Sequence, residues 1–149
     1  MKVRRYRESD WSEWLRMAHT LFPGTTDEDH TGDMRSLLKR TDAAVFIAER
    51  PDGSVCGYVE AGSRSVADGC STSPVGYIEA WYVDPDVRRE GYGRALLAAA
   101  EEWAVAQGYR EMASDALLAN DVSHAAHKRS GYEEVDRVIT YRKMLPRRS

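Results

Sequence analysis

Cysteine is almost missing from this chain: Cys56 and Cys70 are its only two, and they form no C-x-x-C pair. So few thiols exclude a disulfide framework and a cysteine-built metal site, and a reduced, cytoplasmic setting is the expectation. Long apolar runs are missing too. The longest, Ala95 to Ala100, falls far short of the roughly 20 residues that span a bilayer. The charged start Met1-Lys2-Val3-Arg4-Arg5 leads into no apolar stretch, so neither a membrane segment nor a signal peptide is expected. There is no basic excess: 21 Lys+Arg stand against 24 Asp+Glu, for a net charge of −3, which argues against a nucleic-acid partner. No repeat, low-complexity tract or Pro/Gly-rich linker divides the 149 residues, so residues 1–149 read as a single domain. A chain of this size buries about two-thirds of its unfolded surface and needs no staple.

What is present is a regular alternation of strand and helix patterns. A strand is predicted over 2–7, then a helix opened by Ser9 or Asp10, with Glu13 in capping-box position and an apolar stripe of Trp11, Trp14, Leu15, Ala18 and Phe22. A polar helix follows over Asp27–Arg40. Strands at Ala43–Glu49 and Val55–Gly62 form a hairpin around Pro51-Asp52-Gly53. A Ser/Gly-rich loop, Ala67–Pro74, leads to a strand at Val75–Asp84, stopped by Pro85. Gly91–Gln107 is the clearest helix, ending at Gly108. A strand at Tyr109–Asp115, a helix at Asp121–Ser130 and a last strand at Tyr132–Met144 complete the chain. The order β-α-α-β-β-β-α-β-α-β belongs to a mixed α/β domain, not to repeated βαβ units.

The junction Arg88-Arg89-Glu90-Gly91-Tyr92-Gly93-Arg94 joins a strand to that clear helix. Gly91 and Gly93 let the backbone approach a ligand, the first-turn amides of the helix point outward, and the helix dipole favours an anion there. Arg88, Arg89 and Arg94 add charge suited to a diphosphate. Taken alone, the pair of glycines is equally compatible with an eased helix start among solvated arginines. No Gly-Lys-Ser/Thr follows and a third glycine is missing, which excludes a Walker loop and a dinucleotide fingerprint.

With the strand Tyr77-Ile78-Glu79-Ala80-Trp81-Tyr82-Val83-Asp84-Pro85 ahead of it, Arg88-x-x-Gly91-x-Gly93 resembles the acetyl-CoA motif of the GNAT superfamily of N-acetyltransferases. The resemblance runs from near the N-terminus to about Leu145. Within that superfamily, Glu79–Val83, Ala113–Asn120 and His127–Val138 are similar to the aminoglycoside 6′-N-acetyltransferases. It implies a GNAT fold: a mixed central sheet whose parallel fourth and fifth strands splay apart, with helices on both faces. It also implies acetyl-CoA as cosubstrate, its arm held by the backbone of Trp81, Tyr82 and Val83 and its diphosphate by the 88–94 junction. Asn120 and His127 would lie beside it, although Asn120 equally reads as a helix N-cap and His127 as a packed helix-face residue. Many superfamily members carry a Tyr where His127 stands; the open readings are that His127, or a water it holds, protonates the departing thiolate, or that no acid is needed.

Acetyl transfer requires a neutral amine and therefore a proton acceptor. Glu79 sits mid-strand among apolar residues, where a carboxylate is costly unless it is used, and period 2 groups it with Tyr77, Trp81 and Val83. Asp115 ends the next strand, at the carboxyl end where open α/β sheets place ligands. The resemblance implies that these two hold the aminoglycoside and that one takes the proton, with Phe22 and Asp136 as further substrate contacts. Phe22 stands where the family often has Trp, and Asp136 where it often has Glu. Asp27, Glu28, Asp29 and Asp33 either extend an acidic acceptor wall for a cationic amine or simply form the acidic start of a helix. His124 and His127 lack a third ligand, so no metal is expected, and Ser114 and Ser123 show no base-orienter pattern for a nucleophile. Other acceptors, a protein N-terminus or a polyamine, and a non-catalytic acyl-CoA sensor are the rival readings. A homodimer is expected from pairing of the strand-rich C-terminal third.

Overall fold

In the computed structural model, which describes residues 1–148, a five-stranded sheet runs in the order β1-β2-β3-β4-β5. Its strands are β1 (Lys2–Arg5), β2 (Ala43–Glu49), β3 (Val55–Arg64), β4 (Val75–Val83) and β5 (Met112–Ser114). The first four are antiparallel neighbours and β5 lies parallel to β4. Helices α1 (Trp11–Leu21) and α2 (Asp27–Lys39) cover one face, α3 (Tyr92–Ala106) covers the other, and α4 (Asp121–Arg129) follows β5. This is the mixed sheet with helices on both faces that the motif implied.

Helices α1 and α3 bury most of the apolar stripes that predict them, but Phe22 lies beyond the end of α1 and is exposed instead of completing its stripe. Trp14, Met17 and Ala18 of α1, and His30, Met34 and Leu37 of α2, are buried against Ile47, Tyr58, Ala80 and Tyr82. Leu96, Leu97, Ala100, Trp103 and Ala104 of α3 pack on Val59, Ala61 and Ile78. Thr26 caps α2 by accepting the Asp29 amide at 3.1 Å, ahead of a first turn holding Asp27, Glu28 and Asp29. Asp10 does not cap α1; it is buried, and both its oxygens accept from Arg4 at 2.8 Å.

Three further expectations change. The predicted last strand, Tyr132–Met144, forms no strand among the described residues; Tyr132 packs onto the α3 cluster and the residues after it are largely exposed. The fifth strand is three residues long, not the predicted Tyr109–Asp115, since pairing with β4 stops at Ile78 opposite Ser114. The third is a register shift: Glu60 faces Ala80 while Ala61 faces Ile78, leaving Glu79 as an extra residue with no partner in β3. Ile78 therefore packs toward α3, whereas Ala80 and Tyr82 pack toward α1 and α2. The strict alternation that grouped Glu79 with Trp81 and Val83 is broken there, and those two residues pack against the α3 cluster.

Candidate active site

Because β5 ends at Ser114, the backbone of β4 beyond Ile78 has a strand neighbour on one side only, the side of β3. Pairing of the two parallel strands thus stops there, and along Trp81, Tyr82 and Val83 alternate backbone groups turn away from β3 toward the open edge, those of Trp81 and the Val83 amide among them. At the base of the fork α3 begins. Gly91 takes φ 93°, a left-handed conformation, and no side chain caps the helix. The first bond of the turn runs from the Ala95 amide to the Gly91 carbonyl, leaving the amides of Tyr92, Gly93 and Arg94 ahead of it. Gly93 is a close approach: a Cβ there would stand 3.1 Å from the Trp81 ring, whose Nε1–H donates to the Gly93 carbonyl at 3.1 Å.

The arginines are less free than their spacing implied. Arg88 Nε–H donates to the Val83 carbonyl at 3.0 Å, and Arg94 Nη2–H to the Arg129 carbonyl at 2.6 Å. Arg89 itself takes φ 65°, so the left-handed turn begins before Gly91. Glu90, between these glycine-side turns, is exposed. Arg94 also lines a groove of about 350 Å³ with Leu97, Ala98, Glu101, Arg129, Ser130 and Gly131. Outward amides, spare guanidinium donors, an uncapped helix start and an open strand edge together fit a diphosphate followed by an amide-bearing arm. Asn120 caps α4, accepting the Ser123 amide at 3.1 Å, and His127 stands edge-on to Trp81 with centroids 5.1 Å apart.

Carboxylates collect where β4 and β5 stop pairing. Tyr77 donates its hydroxyl to Asp115 Oδ2 at 2.7 Å. Burial, and next that bond, push the Tyr77 phenol above its ordinary range. Arg64 stacks over the Tyr77 ring, 3.5 Å from its centroid, and pairs with Glu79 at 2.9 Å. Glu79 and Asp115, which are 36 positions apart by their numbering, are thereby linked through two side chains from β3 and β4. Asp115 keeps Oδ1 unengaged and is exposed, whereas Glu79 is half-buried and partly neutralised by Arg64. Phe22 stands exposed at the end of α1, its carbonyl accepting from His30 Nε2 at 3.1 Å, and Asp136 lies on the extended tail accepting from the Arg137 amide. Among the described residues neither shares a hydrogen bond with Glu79 or Asp115. Among them, too, no group of three potential ligands is placed to hold a metal ion, and no helix is long and apolar enough to cross a membrane.

Sequence reasoning passed over Arg64 and Glu60. Glu60 sits mid-strand in Val55-Cys56-Gly57-Tyr58-Val59-Glu60, the same signal that singled out Glu79. It accepts from Trp14 Nε1 at 3.0 Å, and burial pushes its carboxyl up to about 7, that indole bond offsetting only part of the effect. Between the ordinary 4.5 and about 7 the folded state holds a proton that the unfolded state has lost, so stability falls as pH rises through that window and stays lower above it. Glu60→Gln keeps an oxygen for Trp14 and removes the ionisation. At pH 8 it should add about 2 kcal/mol, roughly 5 °C in Tm, and change little near pH 4; calorimetry at the two pH values checks this.

Ser114 departs from expectation as well. Its Oγ lies 2.8 Å from His127 Nε2, and His127 Nδ1 is 2.7 Å from the Ser123 carbonyl, so a base held by an orienting acceptor does face a serine here.

Comparison with known proteins agrees with this arrangement. Residues 8–132 match the model of the acetyltransferase (GNAT) family. The chain is 40% identical over 146 residues to an aminoglycoside N(6′)-acetyltransferase type 1 of Klebsiella aerogenes, covering 96% of each chain. A crystal structure of an aminoglycoside antibiotic 6′-N-acetyltransferase from Acinetobacter haemolyticus superposes with a TM-score of 0.91 at 33% identity, over 98% of this chain and 100% of that one. AAC(6′)-Iy, in complex with the bisubstrate analogue CoA-S-monomethyl-acetylneamine, superposes with a TM-score of 0.90 at 35% identity, over 97% and 98%. With the helix-start cradle, the forked strands and these likenesses in agreement, the chain belongs to the acetyltransferase (GNAT) family.

Proposed function

We propose that this protein transfers acetyl from acetyl-CoA to the 6′-amine of aminoglycosides, by direct attack without a covalent enzyme intermediate, and so confers resistance to them. The observation that carries this reading is the linked pair of carboxylates, Asp115 on the Tyr77 hydroxyl and Glu79 on Arg64, beside a fork between parallel strands. Two carboxylates at one mouth suit a polycationic amino sugar better than a neutral acceptor. The relative that shares 96% of its length with this chain is named for that reaction.

Acetyl-CoA, when bound, supplies an activated acetyl thioester. The amides of Tyr92, Gly93 and Arg94, with donors of Arg88, Arg89 and Arg94, would hold its diphosphate, and Glu90 would flank them. The free edge of Trp81, Tyr82 and Val83 would hold its arm, with one N–H aimed where negative charge develops on oxygen. Asn120 and His127 would close the far side. Asp115, with an oxygen to spare, accepts the ammonium proton directly or through water. Glu79 and Arg64 orient a neighbouring amine, and Phe22 and Asp136 extend the acceptor surface.

Release of CoA thiol is the test, with a 6′-amino aminoglycoside, its 6′-hydroxyl analogue, spermine and a peptide N-terminus as acceptors. Turnover on the 6′-amine alone is the expected result. Turnover confined to the peptide or to spermine moves the reading to another amine, and tight CoA binding without any turnover makes the protein a sensor.

In this reading residues 1–149 form one domain that works in the cytoplasm, where its two free cysteines stay reduced. A homodimer completes the reading. The tail exposes Val138, Ile139, Tyr141, Met144 and Leu145, each between 64% and 88% accessible, in a β-prone sequence that pairs with no strand among the described residues. Such a segment is stable when it adds to the sheet of a second copy. Removing residues 134–149 should halve the mass measured by light scattering after size exclusion; a full-length chain that is already monomeric refutes the dimer.

A further inference from the structure

His127 is held more closely than a packed helix-face residue requires. The Ser123 carbonyl, 2.7 Å from Nδ1, has no hydrogen to give, so Nδ1 carries a proton, and Nε2 lies 2.8 Å from the Ser114 hydroxyl, which accepts from Nε2–H when the ring is an imidazolium and so keeps its own hydrogen for another partner. Ser123 is itself anchored, its amide donating to Asn120 Oδ1 at 3.1 Å and its hydroxyl lying 3.2 Å from Nδ1. Edge contacts to Trp81 and Tyr132, at 5.1 and 5.7 Å between centroids, fix the ring plane. Ser114 is the last residue of β5 to pair with β4, and Trp81 lies on the β4 side of the gap that opens beyond it. The imidazole therefore bridges the two arms of the fork at its apex.

We propose that Ser114 and His127 form a proton relay to the sulfur of the leaving thiol, with Ser114 as the catalytic donor and His127 as the positioning residue that recharges it. The proposal rests on the acetyl-transfer reading above. As the amine nitrogen bonds to the acetyl carbon, the C–S bond breaks and its electron pair goes to sulfur. The Ser114 Oγ proton passes to sulfur, and the proton on Nε2 of the imidazolium passes to Ser114 Oγ. The ring is left neutral with its Nδ1–H still donating to the Ser123 carbonyl, and the proton that Asp115 takes from the amine, released to solvent, returns to Nε2 through water. No other co-reactant is needed. Around the ring stand Trp81, Tyr132, Ser114 and Ser123, with Glu101 behind the Tyr132 hydroxyl at 2.7 Å, Asp115 next to Ser114, and Lys128 and Arg129 on the same helix.

The test uses the full chain. In single-turnover transfer to a 6′-amino aminoglycoside, Ser114→Ala and His127→Gln should each slow the reaction about 100-fold, the lower end of general acid–base effects. The double variant should be no slower than either single one, because both cut the same relay. Ser114→Thr, which keeps the hydroxyl, should retain most of the rate. A second readout needs no turnover: titrated by its ultraviolet thiolate absorbance, CoA bound to the wild-type protein should ionise at lower pH than CoA bound to Ser114→Ala. A Ser114→Ala rate within two-fold of wild type, additive losses in the double variant, or identical thiolate titrations would each overturn the relay. If the wild-type protein transfers no acetyl at all, the acetyl-transfer reading fails, and the thiolate titration still decides whether Ser114 serves the sulfur.

Discussion

Asp115→Asn should lower kcat for acetylation of a 6′-amino aminoglycoside by about 100-fold or more, with a much smaller change in the KM for acetyl-CoA. The amide still accepts the Tyr77 hydroxyl, bonded at 2.7 Å in the native protein, so the local geometry survives. What it loses is the capacity to take a proton, which is worth about 10²–10⁴-fold when a positioned base is removed. Glu79→Gln should act differently. Glu79 is already paired with Arg64 at 2.9 Å, so its charge orients the substrate more than it receives a proton, and the larger effect should fall on the aminoglycoside KM. Steady-state thiol release with each substrate varied in turn separates the two. Undiminished turnover in both variants would refute the assignment of these carboxylates.

The second large effect belongs to Gly91. Its φ of 93° is one that a β-branched residue reaches only with strain, and an added Cβ would also stand 3.3 Å from the Met1 side chain. Gly91→Val should cost on the order of 1–3 kcal/mol in backbone strain. The chain can escape part of that by rotating the peptide before α3, which turns the Tyr92 and Gly93 amides away from the anion site. Affinity for CoA by titration calorimetry should fall at least ten-fold, and Tm should drop by several degrees. CoA affinity within two-fold of wild type would show that the uncapped start of α3 does not hold the diphosphate.

Much of this site could be read from the residue order, and the parts that could not share a cause. Gly91 and Gly93 announce a left-handed turn and a close approach within a few residues of each other, so the shape of this helix start was legible. Thr26 and Asn120 cap their helices through amides three residues on, which is likewise a local relation. The carboxylate argument found Glu79 because it stands alone in an apolar strand, yet the same argument applied to Glu60, whose partner Trp14 lies 46 positions away. Arg64 looked like one more charged residue at a strand end. Only the extra residue at Glu79, opposite the Glu60–Ala61 step, brings it over Tyr77 and onto Glu79. Period-2 reasoning assumes an unbroken ladder, and a one-residue bulge reverses every facing beyond it.

By itself the sequence determined what depends on neighbours along the chain: caps, turns, helical stripes, the run of strands and the anion-binding start of α3. These follow from backbone sterics and from fixed periods of 3.6 and 2 residues. The tertiary structure decided which distant groups meet. It joined Asp115 to Tyr77, Glu79 to Arg64 and Ser114 to His127, and it left the apolar side chains of the tail exposed. Those pairings turn on strand register and on where β5 stops pairing with β4, quantities set by packing across the whole sheet and not by any local run of residues. The shortage of cysteine noted at the outset is consistent with this: ion pairs, buried aromatics and a forked sheet hold the site in place, and both thiols remain free.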